Sequence, residues 1–183
     1  MDNGAISYRR YLDGDNEGLR ALVEAYSDRL VFFLCGIVGS RETAEDIAAD
    51  VFALLVVKKP RFRAESAFIT WLFQIGRNLA YNELRRQKRR QTSPLDAASE
   101  QTGDDVEKEI LKTERQQRLY AALRHLHPDY RQVLILLYFE NLDYETTARV
   151  MKKNQKQIKN LAYRARQALK TRLEQEGFSD EPF

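Results

Sequence analysis

Residues 151–172 read MKKNQKQIKNLAYRARQALKTR. The stretch carries Lys152, Lys153, Lys156, Lys159, Arg164, Arg166, Lys170 and Arg172, and not one Asp or Glu. Wound as a helix at about 100° per residue, it places Ile158, Leu161, Ala162, Ala165 and Leu169 on one face, the spacing of a core-facing stripe. Lys156, Lys159, Tyr163, Arg166 and Lys170 fall on an adjacent stripe. One side packs while the next is cationic, and Asn154 stands where a capping residue opens a helix.

Just upstream, Asp143 suits the cap of a short helix that turns Tyr144, Thr147, Ala148 and Met151 inward. About three residues separate the two helices, which is the helix-turn-helix arrangement. Its second helix enters a DNA major groove by the N-terminal end while the first lies across the backbone. Lys156, Gln157, Lys159, Asn160 and Tyr163 are then the candidates for base edges. Lys152, Lys153, Arg164, Arg166 and Lys170 are candidates for phosphates, each neutralised charge steepening the log-log salt dependence by about 0.9. A solvated basic face, or one that meets an acidic protein or a membrane surface, has the same composition. The short helix in front of it is what favours DNA.

Further upstream, Pro128 suits the first position of a helix presenting Tyr130, Val133, Leu134, Leu137 and Tyr138. Helical spacing also joins Ile110, Leu119, Ala122, Leu123 and Leu126. In the N-terminal half, Leu19, Leu22, Val23, Tyr26, Leu30, Phe33, Leu34 and Ile37 follow a three-four spacing. Gly39 and Ser40 end that helix and cap the next, which carries Ala44, Ile47, Ala48, Val51, Leu54 and Leu55 inward and stops before Pro60. A third helix has Phe68, Trp71, Leu72, Ile75 and Leu79 on its apolar face, and it runs straight into the basic segment LRRQKRR at 84–90. The fold class expected is all-α: a helical domain over 1–91, an acidic linker over 92–108 and a helix-turn-helix domain over 109–183.

Composition narrows the function. Of 183 residues, 43% are hydrophobic and 31% charged, an ordinary balance for a helix-rich globular chain, and only 4 Pro and 8 Gly interrupt it. The net charge of +3 is small. It is nevertheless segregated into basic blocks around DAASEQTGDDVEKE at 96–109, which suggests a polyanionic partner. The longest apolar run, LVFFLCGIV at 30–38, is far short of the roughly 20 residues of a membrane span. No signal segment is recognised at the start, and a cytoplasmic setting is expected. Cys35 is alone, so no disulfide framework or Cys-based zinc site is expected, and its place in an apolar run suggests burial. Asp13 to Gly18, with Glu24 in twelfth place, copies the outline of a calcium loop. Arg20 in the eighth place, the helical stripe already starting at Leu19 and the absence of a strong preceding helix argue against it. His125 and His127 do not share a helix face, and hydrolase and phosphate-loop patterns are missing, so an enzyme is the weakest class.

Taken in order, the motifs resemble those of bacterial RNA polymerase sigma factors of the sigma-70 family, in the small, two-domain extracytoplasmic-function (ECF) class. AED at 44–46 followed by DVF at 50–52 resembles the family helix that docks on the polymerase clamp. WLFQIGRNLA at 71–80, followed by Arg85 and Arg86, resembles the helix that binds the minus-ten element. The run from Leu123 to Ala148, then IKNLAYRAR from Ile158, resembles the minus-thirty-five domain. The resemblance spans roughly 160 residues. Four positions depart from it: Lys152 stands where Gly is common in the turn, Thr147 for Ile, Gln157 for Thr and Asn82 for Asp. On the buried face the Thr147 hydroxyl can bond the carbonyl four residues back.

The resemblance implies an initiation factor that joins core RNA polymerase, recognises minus-ten and minus-thirty-five elements and assists strand opening, with no catalytic residue, metal or cofactor. Core binding falls to Glu45, Asp46, Asp50 and Phe52. Minus-ten DNA falls to Arg61, Phe62, Arg63, Arg77, Asn78, Tyr81, Arg85 and Arg86. Minus-thirty-five DNA falls to Lys153, Asn154, Lys156, Gln157, Lys159, Asn160, Tyr163, Arg164, Arg166 and Lys170. Phe62 either stacks on a base extruded from the helix or plugs the helix junction, and Trp71 is expected in the core. The partners implied are the clamp helices and flap of core polymerase, promoter DNA and an anti-sigma factor, without membrane insertion. Roughly 20 linker residues span about 25 Å as a coil and about 65 Å when taut. Such a tether does not hold two domains in register on DNA, so the polymerase must. A helix-turn-helix regulator that never joins polymerase is the alternative, and it leaves the N-terminal motifs without a role.

Overall fold

The structure is a computed structural model that describes residues 3–63, 66–91, 119 and 121–175. Every regular element among the described residues is helical, and the chain divides into two compact units, Met1–Thr102 and Gly103–Phe183. The linker expected over 92–108, Ile110, Ala64 and Glu65 lie outside the described residues. Among the described residues, no helix is long and apolar enough to cross a membrane.

In the first unit, α1 (Asn3–Leu12), α2 (Asn16–Val38), α3 (Arg41–Lys58) and α4 (Phe68–Gln91) pack around α2. The breaks between them are chemical. Asp15 caps α2 by accepting from the Glu17 N–H at 3.0 Å, and Arg10 holds its carboxylate at 2.6 Å. Gly39 ends α2 at φ 76°, a left-handed conformation that costs glycine little, and its N–H returns to the Cys35 carbonyl at 3.0 Å. Ser40 then caps α3 from its Oγ to the Thr43 N–H at 3.3 Å.

The stripes expected from spacing largely face inward. On α2, Leu22, Tyr26, Leu30, Phe33, Leu34 and Ile37 are buried, while Leu19 is half-buried and Val23 is 38% exposed. On α3, Ala44, Ile47, Ala48, Val51 and Leu55 are buried and Leu54 is half-buried. Phe68 and Leu72 of α4 are buried, with Phe73 stacked on Phe33 at 4.8 Å. Trp71, Ile75 and Leu79 are half-buried, as is Cys35.

Helix α1 is a correction: a helix does precede Asp13, and it buries Tyr8 and Tyr11. Gly18 permits the approach, because a Cβ there would lie 2.4 Å from the Ser7 carbonyl oxygen and 2.7 Å from the Tyr11 nitrogen. Tyr8 donates its hydroxyl to the Pro60 carbonyl at 2.7 Å, and burial, with Tyr11 beside it, pushes the phenol up to about 12.

In the second unit, residues 121–124 are helical and bury Ala122 and Leu123. Next comes α5 (Pro128–Leu134), with Pro128 at its first position and His127 capping it through Nδ1, 3.2 Å from the Asp129 N–H. It continues into a π-helical turn (Ile135–Phe139), closed by the Glu140 N–H on the Ile135 carbonyl at 3.0 Å. Then follow α6 (Tyr144–Met151) and α7 (Gln155–Gln175), linked through Lys152, Lys153 and Asn154. Val133, Leu134, Ile135, Leu136, Val150, Met151, Ile158, Ala162 and Ala165 form the core.

Two expectations for this unit fail. Tyr138 is not inward: it is 50% exposed, because the wide turn carries it round to the surface. Thr147 is fully buried, but among the described residues its hydroxyl has no hydrogen-bond partner, carbonyl or other.

Candidate nucleic-acid interface

Helix α7 splits as its spacing suggests. Ile158, Ala162 and Ala165 are buried and Leu161 and Leu169 half-buried, while Lys156, Gln157, Lys159, Asn160, Tyr163, Arg164, Arg166 and Lys170 are exposed. Asp143 caps α6 from Oδ1 to the Thr146 N–H at 2.7 Å, and that backbone bond holds its carboxyl below the ordinary carboxylate range. At the turn, Lys152 adopts φ 54°, ψ 44°, the left-handed geometry that glycine takes at least cost. The side chain is exposed, so the cost of this geometry lies in the backbone alone.

The mouth of α7 is closed by a reciprocal cap. Asn154 Oδ1 accepts from the Gln157 N–H and Gln157 Oε1 accepts from the Asn154 N–H, each at 2.8 Å. This is the amide version of a capping box. Gln157, placed by spacing among the base-edge candidates, therefore also builds the helix start. Lys153 is half-buried and pairs with Asp129 at 3.4 Å, so its charge is partly answered within the unit. Lys170 pairs with Glu174 at 3.7 Å.

Two aromatic residues outside the candidate set support the basic face. Tyr138 Oη accepts from Arg166 Nη1 at 2.9 Å, and the Lys159 ammonium lies 6.0 Å from the centre of the Tyr144 ring. The hydrogen bond to Tyr138 raises the Arg166 guanidinium above its already high value, and Tyr144 adds to it. Tyr138 and Arg166 are 28 positions apart, and no local spacing announces such a pair.

In the first unit the cationic end of α4 is ordered along one face. The Arg77 guanidinium lies 4.5 Å from the Tyr81 ring centre, and Arg85 donates to the Tyr81 carbonyl at 3.1 Å and to Asn82 Oδ1 at 2.9 Å. Arg86 pairs with Glu83 at 2.8 Å, and Asn78 is exposed. In the loop before α4, Arg61 and Arg63 are exposed while Phe62 is half-buried, 5.5 Å from Phe68 and 5.3 Å from Trp71. Phe62 thus rests at the helix junction with one side still open, beside a cluster that includes Tyr8, Tyr26, Phe68 and Trp71. On α3, Glu45, Asp46 and Asp50 are exposed, Glu45 ion-paired with Arg41, and Phe52 is half-buried.

Comparison with known proteins agrees over both units. Residues 22–90 match the model of Sigma-70 region 2 and residues 116–169 that of Sigma-70, region 4. The chain is 30% identical to the RNA polymerase sigma-H factor of Pseudomonas aeruginosa over 172 residues, 88% of this chain and 89% of that one. It is 27% identical to the ECF RNA polymerase sigma-E factor of Haemophilus influenzae over 175 residues, 90% of this chain and 92% of that one. Among solved structures it resembles the sigma factor RpoE of Bartonella quintana, in complex with the anti-sigma factor NepR. The TM-score is 0.70 and the identity 25%, covering 85% of this chain and 96% of that one. CnrH, solved with the cytosolic domain of CnrY, shares the fold at a TM-score of 0.67 and 19% identity, over 94% and 98% of the two chains.

Proposed function

From the premise that the chain belongs to the sigma-70 family of RNA polymerase sigma factors, in its ECF class, we propose how its residues divide the work of initiation. The protein is a transcription initiation factor that binds core RNA polymerase and directs it to promoters. The domains are 1–91 for the clamp and the minus-ten element and 109–183 for the minus-thirty-five element, with 92–108 between them. Lys156, Gln157, Lys159, Asn160 and Tyr163 meet base edges, and Arg164, Arg166 and Lys170 meet phosphates. Lys153 exchanges Asp129 for phosphate, and Asn154 sets the entry angle.

The observation that carries this assignment is the two-sided α7, whose buried stripe fixes it on the domain while every base-edge candidate is exposed. In the first unit, Arg77, Asn78, Tyr81, Arg85 and Arg86 follow the minus-ten strand from one rigid helix, and Arg61 and Arg63 bind beside it. Phe62, packed on Phe68 and Trp71, shapes the base-holding loop from below. Glu45, Asp46, Asp50 and Phe52 dock on the clamp helices, and the second domain meets the flap. An anti-sigma factor is a further partner, a reading supported by the solved complex of RpoE with NepR. The setting is the cytoplasm, where polymerase and promoter meet, and the role calls for no active site.

Purified core polymerase tests the whole reading. The chain should co-elute with core and start transcription at promoters that core alone ignores. A regulator that never joins polymerase would bind DNA yet leave core unchanged.

A further inference from the structure

We infer that Tyr138 and Arg166 together form a seat for one backbone phosphate of promoter DNA, Tyr138 being the positioning residue for the guanidinium. The inference rests on the minus-thirty-five reading of α7 and adds a residue that no sequence spacing assigns. Four observations meet here. The π-helical turn Ile135–Phe139 ends the buried run Val133 to Leu136 and brings Tyr138 out to 50% exposure. Its hydroxyl oxygen lies 2.9 Å from Arg166 Nη1, while both side chains stay open to solvent. Arg166 belongs to the cationic stripe with Lys159 and Tyr163, the latter 59% exposed. Tyr144, at the start of α6, carries Lys159 against its ring, so two elements brace the same stripe.

The chemistry of the pair favours an anion. The phenol oxygen accepts one guanidinium N–H and keeps its own O–H to donate, and a guanidinium has five N–H donors in a planar fork. Donors from two elements therefore converge on one point, with positive charge and no carboxylate against them among the described residues. A surface phenol–guanidinium bond contributes little to folding, but it removes rotamer freedom from Arg166 before DNA arrives. A phosphodiester fits because it presents two unesterified oxygens to such a fork.

The test uses the full chain assembled with core polymerase and a promoter duplex, titrated over a range of salt. Arg166→Ala should flatten the log-log salt slope by about 0.9, and Tyr138→Phe should weaken binding roughly 3- to 10-fold. Both losses should be equal on preferred and scrambled minus-thirty-five sequences, because phosphates carry no sequence. The double variant should bind no worse than Arg166→Ala alone, and Arg166→Lys should recover the slope but not the full affinity. A Tyr138→Phe loss that persists undiminished in the Arg166→Ala background, or an unchanged slope in Arg166→Ala, would overturn the seat. If the wild-type assembly itself shows no promoter binding, the minus-thirty-five reading fails and the seat with it. Unchanged thermal unfolding of Tyr138→Phe separates positioning from folding.

Discussion

Asn154 and Gln157 cap each other across the first turn of α7, backbone N–H to side-chain oxygen in both directions at 2.8 Å. The pair satisfies two donors that a helix start leaves open, at the end of the helix assigned to the groove. Asn154→Ala should therefore lower the stability of the second unit by about 1 kcal/mol. Urea unfolding of the full chain, followed by near-ultraviolet signal from its tyrosines, reads the change. A midpoint equal to wild type would mean that the cap contributes nothing.

Lys152 holds a left-handed backbone without the freedom of glycine. Lys152→Gly relieves about 1 kcal/mol and should raise the unfolding midpoint, even though glycine loses more entropy on folding. Lys152→Ala, which keeps the strain, should not. Equal effects of the two substitutions would assign the change to lost charge instead.

Thr147 presents a fully buried hydroxyl with no partner among the described residues. Replacing it by Val keeps the shape and removes the unsatisfied group, so Thr147→Val should stabilise the chain by about 1 kcal/mol. Thermal unfolding checks it, and a lowered Tm would show that the hydroxyl is satisfied in solution.

Asp143 binds the Thr146 N–H as a carboxylate, so its folded proton affinity is depressed. A depressed value means stability that is present above the ordinary carboxylate range and is lost as pH falls through the folded value. Asp143→Asn retains a capping oxygen without the titration. The stability gap between wild type and this variant should shrink as pH drops below about 4, and a gap independent of pH would contradict the linkage.

The two units should fail separately. Lys159→Ala should reduce promoter use by roughly 10- to 150-fold while core association stays intact, the loss expected for one charged hydrogen-bonding contact. Reversing Asp46 and Asp50 to Lys should instead abolish co-elution with core. Core loss in Lys159→Ala, or undiminished co-elution after the Asp46 and Asp50 reversal, would mean that the surfaces are misassigned.

Much of this is legible in the chain itself. The stripes of α2, α3 and α4, the caps at Ser40 and Asp143 and the N1 position of Pro128 follow from periodicity and capping chemistry. Helix α1 did not announce itself: its sequence NGAISYRRYL is polar on average, and its hold comes from two tyrosines and the close approach at Gly18. The π-helical turn was equally silent, because an unbroken apolar run such as VLILLYF looks the same at any helical pitch. For Phe62, the spacing does not reveal that the ring lies against Phe68 and Trp71, because those contacts cross the loop. The bond from Arg166 to Tyr138 needed the turn to be folded first.

Helix α4 runs without interruption through 24 residues, about 36 Å of stiff rod. One tip is anchored in aromatic rings and the other bristles with arginine, so the element behaves as a lever with its fulcrum in the core. Any sideways load taken up at Arg85 or Arg86 is delivered, with little bending to absorb it, to Trp71 and the ring of Phe62 that leans on it.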